Sequence, residues 1–534
     1  MPSAPTGKIR HFWSVAVILL LAVVFIVPAA IMSEKSPTFD EVSHLPAGYS
    51  YLIERAIRYN PQHPPVVKEI CALPLLFLGI RYPAIPPENE WVFGKEFLFR
   101  QNAQRIIFWG RLFALLLSLG MALVVLLWAT NLWGWAGGLL GLFLYALDPT
   151  ITAHSQLVTT DVGVACFSVL YLWTLRSYLR HPNWTKLLLS GLTLGMALGA
   201  KFSAVVLIPV SFVLMSLVPF LGDWGANVVE RRKTPSALAS FRNNLAALCL
   251  ITAVASVFVW ATYFFPSDPL FYWKGIQAVN RDRGLQPLFY LMGELKPGGW
   301  KAYFLIAWLV KTPIPTLLLL GSAFLMLARG RRANWLDEAF LLIPVVAYFL
   351  FYSLFADNLG VRYLIPCFPF LFIFVGRIGQ QLCSARGVYK LLAGVLLAWN
   401  VSEYVTIAPD HLSYFNQIAG GSEKGLEWLS DSNLDWGQGL IQLRRFIQEQ
   451  KIVDYAYFYF GTADPEYYGI RGRRIEDFDF FIRPTRGIVI ISSHLVTRAR
   501  IILDRVFGNG PLNWLRHQKP AAIVGHAYYV YEIS

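Results

Sequence analysis

The chain has 534 residues, 56% of them hydrophobic and only 15% charged, with a mean hydropathy of +0.48. A soluble protein of that composition would lack the polar residues to cover its surface, and disordered, collagen-like and disulfide-scaffold chains are composed differently, so a polytopic membrane protein remains. The net charge of +13 belongs entirely to residues 1–405, because Lys+Arg and Asp+Glu balance from residue 406 onward. Basic runs such as Arg231-Arg232-Lys233 and Arg329 to Arg332 lie between apolar stretches without interleaved aromatics, which points to membrane topology and lipid head groups and away from nucleic acid.

The first apolar run, Phe12 to Met32, follows Lys8 and Arg10. It is longer than the apolar region of a signal peptide, about 7–15 residues, and reads as an uncleaved spanning helix. Further runs near 111–130, 134–147, 162–179, 187–200, 202–221, 244–265, 303–328, 339–355, 361–376 and 388–406 bring the expectation to eleven spans. With the N-terminus in the cytoplasm, the basic loops fall on the inside, while the short connections 148–160 and 356–361 hold no Lys or Arg. An odd number of spans puts the C-terminal region outside the cytoplasm. The expected organisation is a polytopic α-helical membrane domain, 1–406, with outside loops 33–105 and 266–302, followed by a small extracytoplasmic α/β domain, 407–534.

Within loop 33–105, Asp40–Tyr59 and Pro65–Ile80 are amphipathic and too short or polar to span, so they are expected to lie in the membrane interface. In the C-terminal region Gly437–Gln450 reads as a helix, Tyr455–Phe460 and Ile488–Ser492 as strands, and Ala521–Val524 with Tyr528–Ile533 as a strand pair. Gly191, Gly195 and Gly199 repeat every four residues, as close helix packing requires. Cys71, Cys166, Cys249, Cys367 and Cys383 form no CxxC and read as small core residues.

The chemistry concentrates just after the first span, at Phe39-Asp40-Glu41-Val42-Ser43-His44. Carboxylates at a helix start offset the macrodipole for about 0.3–1 kcal/mol each. Yet Asp40, Ser43 and His44 share a helical face bordered by Glu41, ahead of Asn60-Pro61-Gln62-His63-Pro64-Pro65. The paired prolines suit a helix's first turn, leaving His63 at its mouth and Lys68 one turn on. Adjacent carboxylates diverge, so Asp40 and Glu41 do not make a glycosidase pair facing each other across a scissile bond. One carboxylate suffices as base when the leaving group is a phosphate held by cations. The candidate cations are Lys201, Lys311 and Arg362, whose charges are costly at membrane depth; Arg111, at a span's edge, reads as snorkelling. Asp161 follows Thr159-Thr160, with His154 and Asp148 in the same loop. It reads either as a helix cap or as an acidic ligand for Mg²⁺, Mn²⁺ or Ca²⁺, with His63 or His154 admitting Zn²⁺.

Asp40-Glu41, Asn60 to Pro65, Thr160-Asp161, Gly199-Ala200-Lys201, Lys311-Thr312-Pro313 and Gly360-Val361-Arg362-Tyr363 occur in one order along the chain. In that order they resemble the family 39-like glycosyltransferases of the GT-C fold, relatives of protein O-mannosyltransferases and the lipid A aminoarabinose transferase. Asp431-Ser432-Asn433-Leu434-Asp435-Trp436-Gly437-Gln438 is similar to a phospholipid-carrier-dependent branch. The resemblance implies a polyprenyl-phosphate sugar donor and a lipid, glycan or protein acceptor, met at the outer face of a bacterial membrane. Asp40 would be the general base and Glu41 would orient the site. Lys201, His63, Lys68, Arg362 and Lys311 would receive the donor phosphate, and Asp161 with His63 a metal. Asp431, Asn433, Asp435 and Trp436 would close over the acceptor, or instead cap the following helix and anchor it. The aminoarabinose transferases carry Glu-Lys before the paired prolines where this chain has Gln62-His63. A lipid or solute transporter is the competing reading, since many spans and buried charges are also typical there; it calls for charges near the bilayer midplane and helices broken in related halves.

Overall fold

Apolar stretches in lipid must satisfy their backbone groups internally, and the expected runs accordingly fold as helices. The computed structural model describes residues 7–533 except 85, 221–236, 283–286, 331–334, 477–478, 483–485 and 511, so Arg231–Lys233, Arg331 and Arg332 lie outside the described residues. Helix Gly7–Met32 leads. The runs 111–130 and 134–147 are two helical arms of the segment Ala103–Ala146, folded back on each other at Gly134, whose φ of 71° and ψ of −177° are not helical; the Tyr145 hydroxyl meets Ser118 across the turn. Tyr303–Lys311 and Ile314–Arg329 meet at 112° around Thr312-Pro313. Among the described residues six helices are long and apolar enough to cross a membrane, or seven if that bent pair is one span.

The expectation of eleven is not reached by this measure, for physical reasons. The two arms around Gly134 count here as one; Trp184–Ala200 and Leu207–Leu217 are short; Gly387–Thr406 carries Lys390, Asn400 and Glu403. The chain is nevertheless an integral membrane protein by these helices.

Helix Trp184–Ala200 packs on Ala237–Thr262 through its glycine stripe. A Cβ on Gly191 would lie 2.5 Å from Val254 Cβ, and one on Gly195 2.8 Å from Phe258 Cβ. These neighbouring atoms are themselves Cβ atoms and cannot swing aside. Gly195→Ala is therefore expected to destabilise by about 1–3 kcal/mol. Gly321→Ala, where open space surrounds the new methyl, should be neutral or slightly stabilising. Melting temperatures of the detergent-solubilised variants check the contrast.

The amphipathic stretches of loop 33–105 do become helices, Glu41–Glu54 and Val66–Ala72. They do not simply lie on the membrane surface, however. Residues Glu41 to Tyr51 are all buried, packed on Val66–Ala72 and on Glu90–Phe99. Gly48 permits the approach, since its Cβ would fall 2.2 Å from the Lys68 carbonyl oxygen. The apolar face of Glu41–Glu54 thus meets protein, whereas the turn Leu73–Phe77 after Val66–Ala72 leaves Leu73, Leu76 and Phe77 exposed, as an interfacial stretch would.

Strands β1 (Leu288–Leu291) and β2 (Glu294–Pro297) form an antiparallel hairpin that the sequence reading missed. The C-terminal region holds a mixed five-stranded sheet of β3 (Tyr455–Phe458), β4 (Arg473–Arg474), β5 (Gly487–Ser492), β6 (Ala522–Val524) and β7 (Tyr528–Ile533). Its order is β4-β3-β5-β7-β6, with β3 parallel to β4 and β5 and β7 antiparallel to β5 and β6. Helix Leu440–Glu449 is where it was expected. Helix Ser493–Phe507 was not anticipated, although Val496, Ala499 and Leu503 give it a buried face at helical spacing.

Candidate active site

Asp40 occupies the N-cap position of helix Glu41–Glu54 but makes no side-chain capping bond. Its Oδ2 instead accepts a hydrogen bond from Arg362 Nη1 at 2.8 Å. Oδ1 has no hydrogen-bond partner among the described residues, and the side chain is 21% exposed. Arg362 stands in the 3-10 turn Val361–Cys367, its guanidinium 4.1 Å from the centre of the Trp436 ring. The same Nη1 lies 3.7 Å from Asp161 Oδ2. Asp161 Oδ1 in turn accepts from Lys201 Nζ at 2.5 Å, and that ammonium sits 4.3 Å over the Tyr363 ring. Four of the expected residues thus form one alternating chain of charge, Asp40–Arg362–Asp161–Lys201, drawn from four separate parts of the sequence. Asp161 is only 2% exposed at its side chain, so Asp40 is the open carboxylate of the pair.

Glu41 is fully buried and held on every side. Arg111 donates from Nε to Oε1 at 2.8 Å and from Nη2 to Oε2 at 2.7 Å. The backbone N–H groups of Thr38 and Val158 and the Thr38 hydroxyl complete its shell. Burial pushes the carboxyl upward, but Arg111 and these donors outweigh it and hold the group below its usual range. Arg111 also donates to the carbonyl oxygens of Met32, Lys35 and Ser36. The snorkelling reading of Arg111 is corrected: it is 0% exposed and clasps the loop that delivers Asp40.

Ser43 and His44 share a face with Asp40, as expected, but their polar groups are taken up by distant parts of the chain. Ser43 donates to Glu90 Oε2, and His44 Nδ1 lies 3.2 Å from the Val158 carbonyl oxygen. The His44 and His63 rings meet edge to face at 4.9 Å. Burial, then the neighbouring His44 and Lys68 charges, holds His63 well below its ordinary value, so it is neutral near pH 7. Lys68 is 1% exposed and donates to Tyr51 Oη, to both oxygens of Asn60 and to the His63 carbonyl oxygen. Four acceptors for three protons leave nothing for a ligand, and burial pushes its pKa down to about 7. In place of the phosphate contact expected of it, Lys68 braces the Asn60–Pro65 turn.

Lys311 serves a similar end. Its Nζ donates to the carbonyl oxygens of Leu412 and Asn433, tying its helix to the C-terminal region. Asn433 is likewise consumed internally: Oδ1 accepts from Val361 N, and Nδ2 donates to Tyr303 Oη and the Ser430 carbonyl oxygen. Asp435 Oδ1 accepts from Gly437 N, and burial pushes its carboxyl up to about 7. The capping alternative for residues 431–438 fails, because the next helix starts at Leu440 with Gly439 as its cap. Trp436 lies on Arg362, and the Trp436 and Gln438 carbonyl oxygens accept from the N–H groups of Phe39 and Ser36.

Phe39 is enclosed by the C-terminal region. Its carbonyl oxygen accepts from Thr462 Oγ1, and its ring stacks on Phe460 at 5.5 Å. Phe460 stacks in turn on His494 at 3.8 Å. Arg111, Glu90 and this aromatic stack are the residues that sequence reasoning missed. Only Arg111, a charge inside an apolar run, carried a signal.

No group of three or more His, Cys, Asp or Glu side chains able to hold a metal occurs among the described residues. Asp161 already faces two cations, Lys201 and Arg362, so its donor set does not suit the divalent ion expected with His63.

The sequence profile of the family described as dolichyl-phosphate-mannose-protein mannosyltransferase matches residues 16–273. That is just under half of the chain, and it contains Asp40, Glu41, His63, Lys68, Asp161 and Lys201. The resemblance read from the ordered motifs, to a family of sugar-transferring enzymes, is borne out for this part. No curated protein matches in sequence. Solved structures with a similar chain path include ArnT from Cupriavidus metallidurans bound to undecaprenyl phosphate, at 14% identity, covering 96% of this chain and 97% of that one with a TM-score of 0.48. The S. cerevisiae protein O-mannosyltransferase Pmt1–Pmt2 complex bound to the sugar donor matches at 16% identity over 52% of this chain and 35% of that one, TM-score 0.35. The Archaeoglobus fulgidus oligosaccharyltransferase in its apo form matches at 11% identity over 92% and 72%, TM-score 0.42.

Proposed function

We propose that the chain transfers a sugar from a polyprenyl-phosphate donor to an acceptor hydroxyl, with inversion at the anomeric carbon and Asp40 as general base. One observation carries this reading: Asp40 is fixed by Arg362 through one oxygen and keeps the other open. The acceptor oxygen forms a bond to the anomeric carbon as the bond from that carbon to the phosphate oxygen breaks, and the acceptor proton passes to Asp40 Oδ1. The bond pair leaves with the polyprenyl phosphate, whose charge Arg362 and Lys201 would neutralise. Pairing with Asp40 and Asp161 holds both cations in place beforehand. The family match, whose description names a dolichyl-phosphate donor, supports the donor class. We read the site as lying on the extracytoplasmic face of the membrane, since the basic loops favour that orientation, and residues 407–534 as a second domain that contributes Trp436.

The test is direct. Purified protein is incubated with labelled polyprenyl-phosphate mannose, glucose, galactose and aminoarabinose, and with membrane extract as the acceptor source. Release of polyprenyl phosphate with covalent transfer of at least one sugar is expected. Vesicle uptake of a substrate without any covalent transfer would overturn the reading in favour of a transporter.

A further inference from the structure

We infer that a small pocket between hairpin β1–β2, the Asn358–Leu359 turn and helix Ser493–Phe507 binds a neutral sugar unit of the acceptor. It rests on the glycosyl-transfer reading above and deepens it to a substrate class. The cavity has a volume of about 130 Å³ and is lined by Phe289, Asn358, Ser430, Asp431, His494 and Arg498, among others. Its polar groups are unusually unspent. Asn358 is 6% exposed; its Oδ1 accepts from Trp300 N, while its two Nδ2 protons have no partner among the described residues. Arg498 uses only Nη1, toward the carbonyl oxygen and Nδ1 of His494, leaving Nε and Nη2 unpaired there.

With an arginine donating to Nδ1, the neutral His494 ring carries its proton on Nε2, which no described protein group meets. Asp431 Oδ1 accepts from Ser432 N. Oδ2 lies 3.5 Å from His494 Nδ1, an atom already acting as acceptor, and so is itself an open acceptor. Asp431 is also held at φ 60°, a left-handed conformation uncommon outside glycine and one that gathers at functional positions.

These groups select by charge. A bare anion would meet the Asp431 carboxylate, and a bare cation the Arg498 guanidinium. A ligand whose groups donate and accept at once satisfies both, and adjacent hydroxyls on a sugar ring do so. The Phe289 ring offers an apolar wall to a sugar's C–H face, and the volume suits one ring. The location suits an acceptor. Ser432 Oγ donates to the Leu359 carbonyl oxygen and Val361 N donates to Asn433 Oδ1, so the pocket wall is stitched to the segment that ends in Arg362, the partner of Asp40.

The full chain in detergent is tested by saturation-transfer NMR with methyl α-mannoside, methyl β-glucoside, methyl β-galactoside and methyl N-acetyl-β-glucosaminide, alongside glucuronate and inorganic phosphate. At least one neutral glycoside is expected to bind, about tenfold more weakly in Asp431→Asn and in Arg498→Met, and unchanged in Gly321→Ala, a site remote from the pocket's lining. Melting temperatures show whether the variants fold. Should Asp431→Asn fail, Arg498→Met decides alone, because that side chain is partly exposed. Binding of only glucuronate or phosphate, of no glycoside, or of glycosides indifferent to both substitutions overturns the pocket. Glycoside binding in a protein that transfers no sugar overturns the transfer reading and leaves the pocket standing.

Discussion

Asp40→Asn is expected to lose sugar transfer by about 10²–10⁴-fold while the protein folds and binds donor as before. The substitution keeps the side chain's shape and a carbonyl oxygen for Arg362 Nη1, and removes only the capacity to take a proton. The pair it weakens is 10% exposed at Arg362 and 21% at Asp40, and the amide oxygen keeps the hydrogen bond, so the stability cost should stay within about 1–3 kcal/mol. Retained donor binding distinguishes a missing base from a missing phosphate site. The measurement is initial rate against donor concentration, with the fall in kcat and KM nearly constant. Full activity in this variant would remove Asp40 from the chemistry and leave the charge chain as structure. Asp161→Asn provides the contrast: it strips Lys201 of its partner in a buried place and should disturb donor binding and folding together.

Arg111→Met is expected to be the most damaging single change to the fold, at about 3–5 kcal/mol. It leaves Glu41 as a fully buried carboxylate without its cation, and it frees three carbonyl oxygens of the Met32–Ser36 segment. Such a loss exhausts much of a typical domain's margin, so little folded protein should be recovered. The double variant Glu41→Gln with Arg111→Met removes both charges. It should melt above Arg111→Met alone, because an uncompensated charge costs more than a missing pair. A single variant that melts like the parent would show that Arg111 is not the clasp.

What the sequence made legible is local or repetitive. Apolar runs announced helices, the glycine repeat announced a close crossing, and the pairing of Asp40 with a distant cation was foreshadowed by charges placed where charge is expensive. Partnership across the chain was not legible. Glu41 and Arg111 stand 70 residues apart, and nothing in either segment names the other. Lys68 looked like a phosphate ligand because a lysine beside a histidine and two prolines has the same spelling whether its acceptors are a substrate or the Asn60 turn. The helix Glu41–Glu54 looked interfacial because an amphipathic pattern records that one face is apolar and is silent on what covers it. The pocket at Asp431 was invisible for a third reason. Asn358, Asp431 and His494 belong to three segments, and only the packing of helix Ser493–Phe507 brings them together.

The enclosure of Phe39 imposes an order of events on synthesis. Asp40 emerges from the ribosome early, yet its neighbour is fixed by Trp436, Phe460 and Thr462, made roughly 20–80 s later at ordinary elongation rates. Until then the Met32–Ser36 segment has Arg111 to hold it, but Phe39 lacks every partner just named. A chain that ends before Thr462 therefore leaves Phe39, and Asp40 beside it, without contacts that hold them in the folded protein.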